Sequence, residues 1–357
     1  MSGLHFHALR VRELRPEGDD ALAITFDVPA AQAASFHFQP GQYLTMRADV
    51  AGQDLRRSYS ICAAAGEALR VGVRRVPGGA FSSWLHGSLK VGDMLDVMEP
   101  QGRFGVALSR RPRHVLAVAA GSGITPILSI VKTLLSEDPH ACCTLLYGNR
   151  RVVSMMFREE LEDLKNSHLA RLVLHPVFSR ETVDTPLNAG RLDAEKIATL
   201  LQLAGRAGIL DEAFVCGPHA MNDDVEAALL AAGMAPEHIH VERFGVPATA
   251  TDSMLHAPQA GDATTAIITI VRDGVSRDVA FQPSDESVLA AASRAGMDVP
   301  YSCRSGVCAT CRAKLLHGRV RMDRNFALET EELAAGYVLT CQAHPLTERV
   351  VVSFDER

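Results

Sequence analysis

The sequence contains no run of 18 apolar residues, so we expect no transmembrane helix. It has no excess of positive charge, since Lys and Arg number 36 against 42 Asp and Glu, and its net charge of −6 does not suggest a nucleic acid or an anionic membrane as partner. Its first ten residues lack the apolar core of a signal peptide. Eight cysteines in such a chain favour the reducing cytoplasm over a disulfide framework.

Four of the cysteines follow a spacing that binds iron. Cys303, Cys308 and Cys311 form a C-x4-C-x2-C run, and Cys341 follows later, which is the ligand pattern of a plant-type [2Fe–2S] ferredoxin. The alternatives are four unrelated core cysteines or a zinc site, but structural zinc usually requires two C-x2-C pairs or a pair with two histidines. We therefore predict an electron-transfer protein, with Cys341 on a strand covering residues 337–342.

The hydrophobic periodicity changes along the chain and predicts a multidomain α+β protein. Residues 1–108 show short strands separated by turn residues, which indicate a small antiparallel barrel, with strands at 21–28, 43–47, 57–62, 69–74 and 94–97. Residues 109–244 alternate apolar strands with amphipathic runs such as 126–136, which predicts βαβ units and a parallel sheet. Residues 245–264 have the composition of a linker. Residues 265–357 form the predicted cluster domain, with a helix that opens at Asp285 and Glu286.

Two segments have features of phosphate-binding sites. The segment from Gly121 to Pro126 follows an apolar strand and opens a helix, whose free N–H groups and dipole attract anions. The third glycine of the dinucleotide fingerprint is absent, so an ordinary glycine turn remains the alternative. Gly79 to Ser83 also combines a glycine turn with hydroxyls at a helix start, where a simple N-cap by Ser82 is the alternative. Arg57 to Ser60 adds an arginine and a tyrosine that can bind a diphosphate and stack on a planar ring.

These motifs occur in the same order in the ferredoxin–NADP reductase superfamily, which the chain resembles. The superfamily pattern is matched at Arg57-x-Tyr-Ser60, Gly79-x-x-Ser82, Gly121-x-Gly-x-x-Pro126 and Cys216-Gly-Pro218. With the cysteine motif downstream, the domain order resembles the reductases of multicomponent oxygenases that are fused to a ferredoxin. Segments 147–150, 155–158, 240–244 and 332–339 are further similar to the reductases of ring-1,2-phenylacetyl-CoA epoxidases. The resemblance spans essentially the whole chain.

The resemblance implies an FAD-binding barrel, an NAD(P)-binding α/β domain and a β-grasp ferredoxin domain. The implied FAD-binding residues are Arg57, Ser58, Tyr59, Ser60, Gly79, Phe81, Ser82 and Ser83. The implied nicotinamide-binding residues are Gly121, Gly123, Thr125, Cys216, Gly217 and Pro218. Tyr59 would stack on the flavin and Ser60 would bond its N5 edge, while Glu242 would close the pocket; Ser60 and Glu242 are the implied catalytic residues.

The choice of coenzyme depends on the end of the third strand of the nucleotide domain. Ser179 and Arg180 resemble residues that hold the 2′-phosphate in NADPH-using relatives, and Arg150 adds a second arginine. An arginine fork suits a phosphate dianion, whereas NADH enzymes often place a carboxylate on the ribose hydroxyls. We expect NADPH, with NADH as the alternative and with Arg180 as a solvated loop residue in that case.

The implied function is an electron relay from NADPH through FAD and [2Fe–2S] to an external oxygenase, with the di-iron phenylacetyl-CoA epoxidase as the expected partner. The reductase of another oxygenase, such as a ketosteroid hydroxylase or a fatty-acid desaturase, is the first alternative. A redox-sensing regulatory protein is an alternative of a different class, although the intact nucleotide motifs count against it. The chain itself is not expected to be the di-iron oxygenase, because its Glu137-x-x-His140 contains Pro139 and has no partner motif.

Overall fold

The computed structural model describes residues 4–105, 108, 114–205, 210–245 and 256–356. Within these ranges no helix has both the length and the apolar character needed to cross a membrane. The chain divides into two compact units, His7–Phe244 and Met1–Phe6 with Gly245–Arg357. Each unit has hydrophobic cores of its own, so each is described separately.

The first half of the larger unit is an antiparallel barrel, as predicted. Its elements are β1 (Phe6–Glu17), β2 (Ala21–Asp27), β3 (Tyr43–Val50), β4 (Gln53–Ser60), β5 (Arg70–Arg74), α1 (Ala80–Gly87) and β6 (Met94–Met98). The strand order is β4-β3-β6-β1-β2-β5, and an antiparallel bridge between Ile61 and Val71 joins the two ends of that order. Sequence periodicity did not reveal β1, because only Leu9, Val11 and Glu17 of its residues are buried.

The second half of the larger unit is the predicted parallel α/β domain. Its elements are β7 (His114–Ala120), α2 (Ile124–Glu137), β8 (Cys142–Asn149), α3 (Arg158–Ser167), β9 (Leu172–Phe178), α4 (Ala194–Gly205), β10 (Glu212–Cys216), α5 (His219–Ala231) and β11 (Ile239–Glu242). The sheet order is β11-β10-β7-β8-β9, and every neighbouring pair is parallel. Loops at the carboxyl ends of such strands form the usual ligand crevice of open α/β sheets.

Charged residues connect the barrel to the α/β domain. Glu160 of α3 accepts hydrogen bonds from Arg70 of β5 (2.8 Å to Nη2) and from Lys132 of α2 (2.6 Å to Nζ). Burial would raise the pKa of Glu160, but the two cations outweigh burial and hold it below its ordinary value. Nearby, the backbone N–H of Phe157 donates to Glu17 of β1 at 3.0 Å. The two halves of this unit are therefore packed into one body.

The smaller unit is a mixed sheet with short helices, which confirms the predicted β-grasp ferredoxin fold. Its elements are β12 (Ala266–Arg272), β13 (Val275–Phe281), α6 (Val288–Arg294), β14 (Arg312–His317), β15 (Val320–Met322), α7 (Thr330–Ala334), β16 (Tyr337–Leu339), β17 (Ala343–Pro345) and β18 (Arg349–Ser353). The main sheet has the order β13-β12-β18-β14-β16, in which only β12 and β18 run parallel, and β15 pairs with β17.

Two local predictions in this unit were wrong. Helix α6 begins at Val288 and not at Asp285, because Ser287 caps it by accepting a hydrogen bond from the N–H of Ala290 (3.2 Å). Cys341 lies in a turn and not on a strand, since β16 ends at Leu339. The turn is closed by the N–H of Gln342, which donates to the carbonyl of Leu339 at 2.9 Å.

Candidate functional site

The four predicted cluster ligands come together in the smaller unit. Cys303 is hydrogen-bonded to Cys308, and Cys311 to Cys341. The bond to Cys308 lowers the pKa of Cys303, whereas the bond to Cys303, together with burial, raises the pKa of Cys308. Cys311 and Cys341 are buried, and Cys303 and Cys308 are half-buried. Four neighbouring thiols can release their protons to a cation, because thiolates are the metal-binding form. This donor set fits a [2Fe–2S] cluster.

The side chains of the Arg57–Ser60 motif on β4 lie in different environments. Tyr59 is half-buried, its ring lies 6.2 Å from that of Phe81 on α1 in a stacked arrangement, and burial raises its pKa. Arg57 is exposed and donates to the carbonyl of Arg56 at 2.7 Å. The hydroxyl of Ser58 lies 3.2 Å from that of Thr45 on β3. An exposed guanidinium beside a held tyrosine ring suits a ligand that has both a diphosphate and a planar ring.

In the turn before α1, no side chain of the described residues caps the first backbone N–H groups of the helix, and the hydroxyl of Ser82 is already hydrogen-bonded. Gly79 is the N-cap of α1 and has no side chain to satisfy the first N–H groups. Ser82 accepts from the N–H of Val76 (3.1 Å) and donates to the carbonyl of Gly79 (3.4 Å), so its hydroxyl is engaged within the turn. Ser83 is exposed. The anion-binding capacity of this turn therefore lies in its backbone and in Ser83.

The glycine loop after β7 is shaped by close packing. Gly121 has φ +56°, a left-handed conformation that glycine adopts without strain. A Cβ on Gly123 would lie 2.0 Å from the carbonyl oxygen of Cys216, so only glycine fits there. Thr125, expected to touch the nucleotide, is buried, and its hydroxyl donates to the carbonyl of Ser122 at 3.0 Å. In the described part of the loop, no side chain caps the N-terminus of α2.

The predicted segment Cys216 to Pro218 forms the junction between β10 and α5. Pro218 is the N-cap of α5, and among the described residues no side chain caps the N-terminus of α5, as is also the case for α1 and α2. Gly217 leaves room for two neighbouring side chains. A Cβ there would lie 2.5 Å from the side chain of Met221 and 3.2 Å from that of Ala120. Three of the predicted motifs thus lie at uncapped helix N-termini, which favour anionic ligands.

The two predicted catalytic residues lie together between the barrel and the α/β domain. The hydroxyl of Ser60 donates to the carboxyl of Glu242 at 3.5 Å, and Glu242 pairs with Cys216 in the β10–β11 register. Burial raises the pKa of Glu242 to about 8, against a smaller lowering by the Ser60 bond. Burial and the Glu242 charge also raise the pKa of the Cys216 thiol. With a pKa of about 8, the carboxyl group of Glu242 is mostly protonated at neutral pH.

The raised pKa of Glu242 predicts that the stability of the protein depends on pH. The folded carboxyl of Glu242 keeps its proton up to about pH 8, whereas an unfolded glutamate loses it near its ordinary value of 4.5. Between these values the folded state binds the extra proton, so stability is lost as pH rises through this window. Glu242→Gln cannot ionise. We expect the free energy of unfolding of the unmodified protein, relative to that of the variant, to fall between pH 5 and 9.

The measurement is chemical denaturation of the holoprotein at each pH. Glu195→Gln, at an exposed position on α4, is the control and should follow the unmodified protein. Parallel curves for the unmodified protein and Glu242→Gln would contradict the raised pKa.

The residues expected to select the coenzyme are adjacent at the ends of β8 and β9. The N–H of Ser179 donates to the carbonyl of Asn149 and that of Arg180 to the carbonyl of Arg150, both at 2.9 Å. Arg150 and Arg180 are exposed. Among the described residues neither guanidinium has an ion-pair partner, so both are available to an anionic ligand.

Two polar residues close to the strand of Glu242 were not predicted from the sequence. Asn222 is fully buried on α5, and its side-chain nitrogen donates to the carbonyl of Glu242 at 3.2 Å. Glu212 begins β10 and lies 3.0 Å from His238 and 2.7 Å from His240, which precede Glu242 on the neighbouring segment. These contacts hold the strand that presents Glu242. Sequence reasoning missed them because single polar residues in a helix or strand look like ordinary surface residues.

Three family models match consecutive parts of the chain. Residues 9–105 match an oxidoreductase FAD-binding domain, residues 117–227 an oxidoreductase NAD-binding domain, and residues 270–346 a 2Fe-2S iron-sulfur cluster binding domain. The matches agree with the cofactors expected from the sequence, which are FAD, a nicotinamide nucleotide and a [2Fe–2S] cluster.

Whole-chain similarity extends this result. The chain is 46% identical to the E component of the 1,2-phenylacetyl-CoA epoxidase of Escherichia coli K12, covering 99% of this chain and 98% of the relative. It is 32% identical to the 3-ketosteroid-9-alpha-monooxygenase ferredoxin reductase component of Rhodococcus rhodochrous, covering 97% and 96%. The structure of phthalate dioxygenase reductase shares the fold, with a TM-score of 0.60 at 24% identity over 98% of both chains. The chain therefore belongs to the family of NAD(P)H-dependent oxygenase reductases in which FAD-binding, NAD-binding and [2Fe–2S] ferredoxin domains are joined in one polypeptide.

Proposed function

We propose that this protein reduces the oxygenase component of a phenylacetyl-CoA epoxidase, with NADPH as the electron source. The observation that carries the proposal is the 46% identity to the E component of the E. coli epoxidase across essentially the full length of both chains. The ketosteroid monooxygenase component, at 32%, supports the second candidate, a reductase that serves a different oxygenase. The substrate would bind to the partner, so the residues of this chain would serve electron delivery and not substrate binding.

The chain's own residues would bind and orient the cofactors. Arg57, with the N–H groups at the start of α1, would hold the FAD diphosphate, while Tyr59 and Ser60 would face the flavin ring. The uncapped N-termini of α2 and α5 would receive the nicotinamide nucleotide. When bound, these cofactors supply hydride and single-electron chemistry. Glu242 would present a neutral carboxyl beside Ser60 and exclude water from that side of the pocket.

We also propose the domain boundaries and the compartment. The boundaries 1–108, 109–244 and 265–357, with a linker at 245–264, are supported by family matches that fall inside each of the three domains. Location in the reducing cytoplasm is supported by the eight cysteines, four of which follow the cluster-ligand spacing and not a disulfide framework.

Reconstitution tests the proposed partner. The purified protein, NADPH and the oxygenase components of the phenylacetyl-CoA epoxidase should give coupled epoxidation of phenylacetyl-CoA, and a ketosteroid monooxygenase oxygenase should give little turnover. From residue 264 onward the chain has 12 acidic and 11 basic residues, a net charge of −1. Docking should therefore depend only modestly on salt, because little long-range attraction is available for screening. Efficient turnover with only the second oxygenase would reject the proposed partner.

Coenzyme preference tests the role of Arg180. Loss of a charge-assisted contact to phosphate typically costs about 1.5–3 kcal/mol, or roughly ten- to a hundredfold in affinity. Arg180→Ala should therefore raise KM for NADPH by that factor and leave KM for NADH nearly unchanged, as measured by reduction of ferricyanide. Arg158→Ala, at an exposed position on α3, is the matched control. An equal loss with both coenzymes, or a natural preference for NADH, would contradict the assignment.

A further inference from the structure

The side chain of Gln342 is completely buried directly after the cluster ligand Cys341. Its nitrogen, Nε2, donates to the carbonyl of Arg304 at 2.9 Å, and it lies 3.0 Å from the carbonyl oxygen and 3.5 Å from the sulfur of Cys341. Rotating the amide would place Oε1 against two carbonyl oxygens and a sulfur. The contacts therefore determine that the nitrogen faces the cluster site.

The other end of the same amide is unsatisfied. Among the residues that the structure describes, Oε1 of Gln342 is buried and has no hydrogen-bond partner. A buried acceptor without a partner is unfavourable, and an apolar side chain of similar size would avoid it. The donor contacts of Gln342 are therefore the feature that explains an amide at this position.

Those contacts join two segments that each supply cluster ligands. Arg304 lies in the loop between Cys303 and Cys308 and has φ +55°, a left-handed conformation that is unfavourable for a residue with a side chain. The bond from Gln342 fixes the carbonyl of this strained residue. Gly306 in the same loop lies directly on Gln342, because a Cβ there would be 3.3 Å from its Cγ. Gln342 thus packs against the Cys303–Cys308 loop and connects it to the turn that contains Cys341.

The same nitrogen has an electrostatic effect on a ligand. An N–H group directed at a ligating sulfur stabilises additional negative charge there, and hydrogen bonds to the sulfurs are among the features that set the potentials of iron–sulfur clusters. Uptake of one electron makes the cluster and its thiolates more negative. The contact to Cys341 therefore favours the reduced state over the oxidised state.

We propose that Gln342 is a positioning residue of the [2Fe–2S] site, which fixes the Cys303–Cys308 loop against Cys341 and raises the reduction potential of the cluster. This inference rests on the cluster-binding role included in the proposed function. The two can fail separately: a purified protein without iron and acid-labile sulfide would refute the cluster, whereas the role of Gln342 is tested only on protein that contains it.

The test compares Gln342→Leu and Gln342→Glu with the unmodified holoprotein. Gln342→Leu removes the donor, and Gln342→Glu replaces it with a carboxylate of similar size. Gln282→Leu, at an exposed position in the same unit, is the matched control. The readouts are the midpoint potential, from a titration followed by electron paramagnetic resonance, and the rate of cluster loss to an iron chelator.

We expect Gln342→Leu to lower the equilibrium constant for cluster reduction about tenfold, which is about 59 mV for one electron, and to accelerate cluster loss. Gln342→Glu should lower the potential further, and Gln282→Leu should change neither quantity. Unchanged potential and unchanged cluster loss in both Gln342 variants would overturn the proposal. If neither variant holds a cluster, a cluster-free Tm equal to that of the cluster-free unmodified protein would support a role confined to the site, and a lower Tm would overturn it.

Discussion

Cys308→Ser is expected to abolish electron delivery to the oxygenase while reduction of ferricyanide by NADPH continues. Cys308 is one of four thiols that converge in the smaller unit, and a [2Fe–2S] cluster needs all four. The larger unit has its own cores and contains the FAD and NAD family matches, so flavin reduction should survive. The two activities are measured on the same preparation, together with its iron and acid-labile sulfide content.

Cys142→Ser is the matched control for this experiment. Cys142 begins β8 in the larger unit and is a free, half-buried thiol outside the cluster motif. Its replacement should leave the iron content and both activities at the level of the unmodified protein. Normal support of the oxygenase by Cys308→Ser would show that electrons bypass the cluster.

Gly123→Ala is expected to weaken nicotinamide binding and to destabilise the larger unit. The new methyl group would lie 2.0 Å from the carbonyl oxygen of Cys216, and this neighbour is backbone, which cannot rotate away. Overpacking of this kind costs about 1–3 kcal/mol, or about 2–4 °C in Tm for each kcal/mol in a unit of this size. Because Gly123 is the N-cap of α2, the same displacement should raise KM for NADPH.

Gly87→Ala separates this effect from a general effect of losing a glycine. Gly87 ends α1, and a Cβ there would have no atom within 4 Å. We expect the Tm of the Gly87→Ala protein to remain close to that of the unmodified protein. Thermal unfolding and steady-state kinetics on both variants provide the measurements. A Gly123→Ala protein with unchanged Tm and KM would mean that the loop can move away from Cys216 without cost.

The sequence predicted most of the fold because its apolar runs are long and its turns are marked. The predicted strand at 43–47 lies within β3, and the helix predicted at 126–136 lies within α2. The errors have local causes. In β1 charged residues alternate with a few buried ones. The wrong boundary near Asp285 depends on the side-chain cap by Ser287, and the one near Cys341 on the backbone hydrogen bond from Gln342 to Leu339, and periodicity registers neither.

The candidate site was predictable to the extent that its motifs are contiguous. The cysteine spacing identified four residues that do converge, and Ser60 and Glu242 are neighbours although 182 positions separate them. Gln342 and Asn222 could not be recognised, because their importance depends on complete burial and on the particular atoms that each side chain contacts. Such information exists only after the chain has folded.

The ion pairs between the barrel and the α/β domain bear on how such proteins can be recombined. A chimera that takes only the barrel from a relative would replace Arg70 and Glu17 but retain Glu160 and Lys132, so buried charges could lose their partners. A junction near Gly245 would leave all of these pairs intact and exchange Gly245–Arg357, which is the unit with the cluster apart from its first segment, Met1–Phe6. The exchangeable modules are thus two and not three, and a library built on that division should keep its flavin-containing half functional.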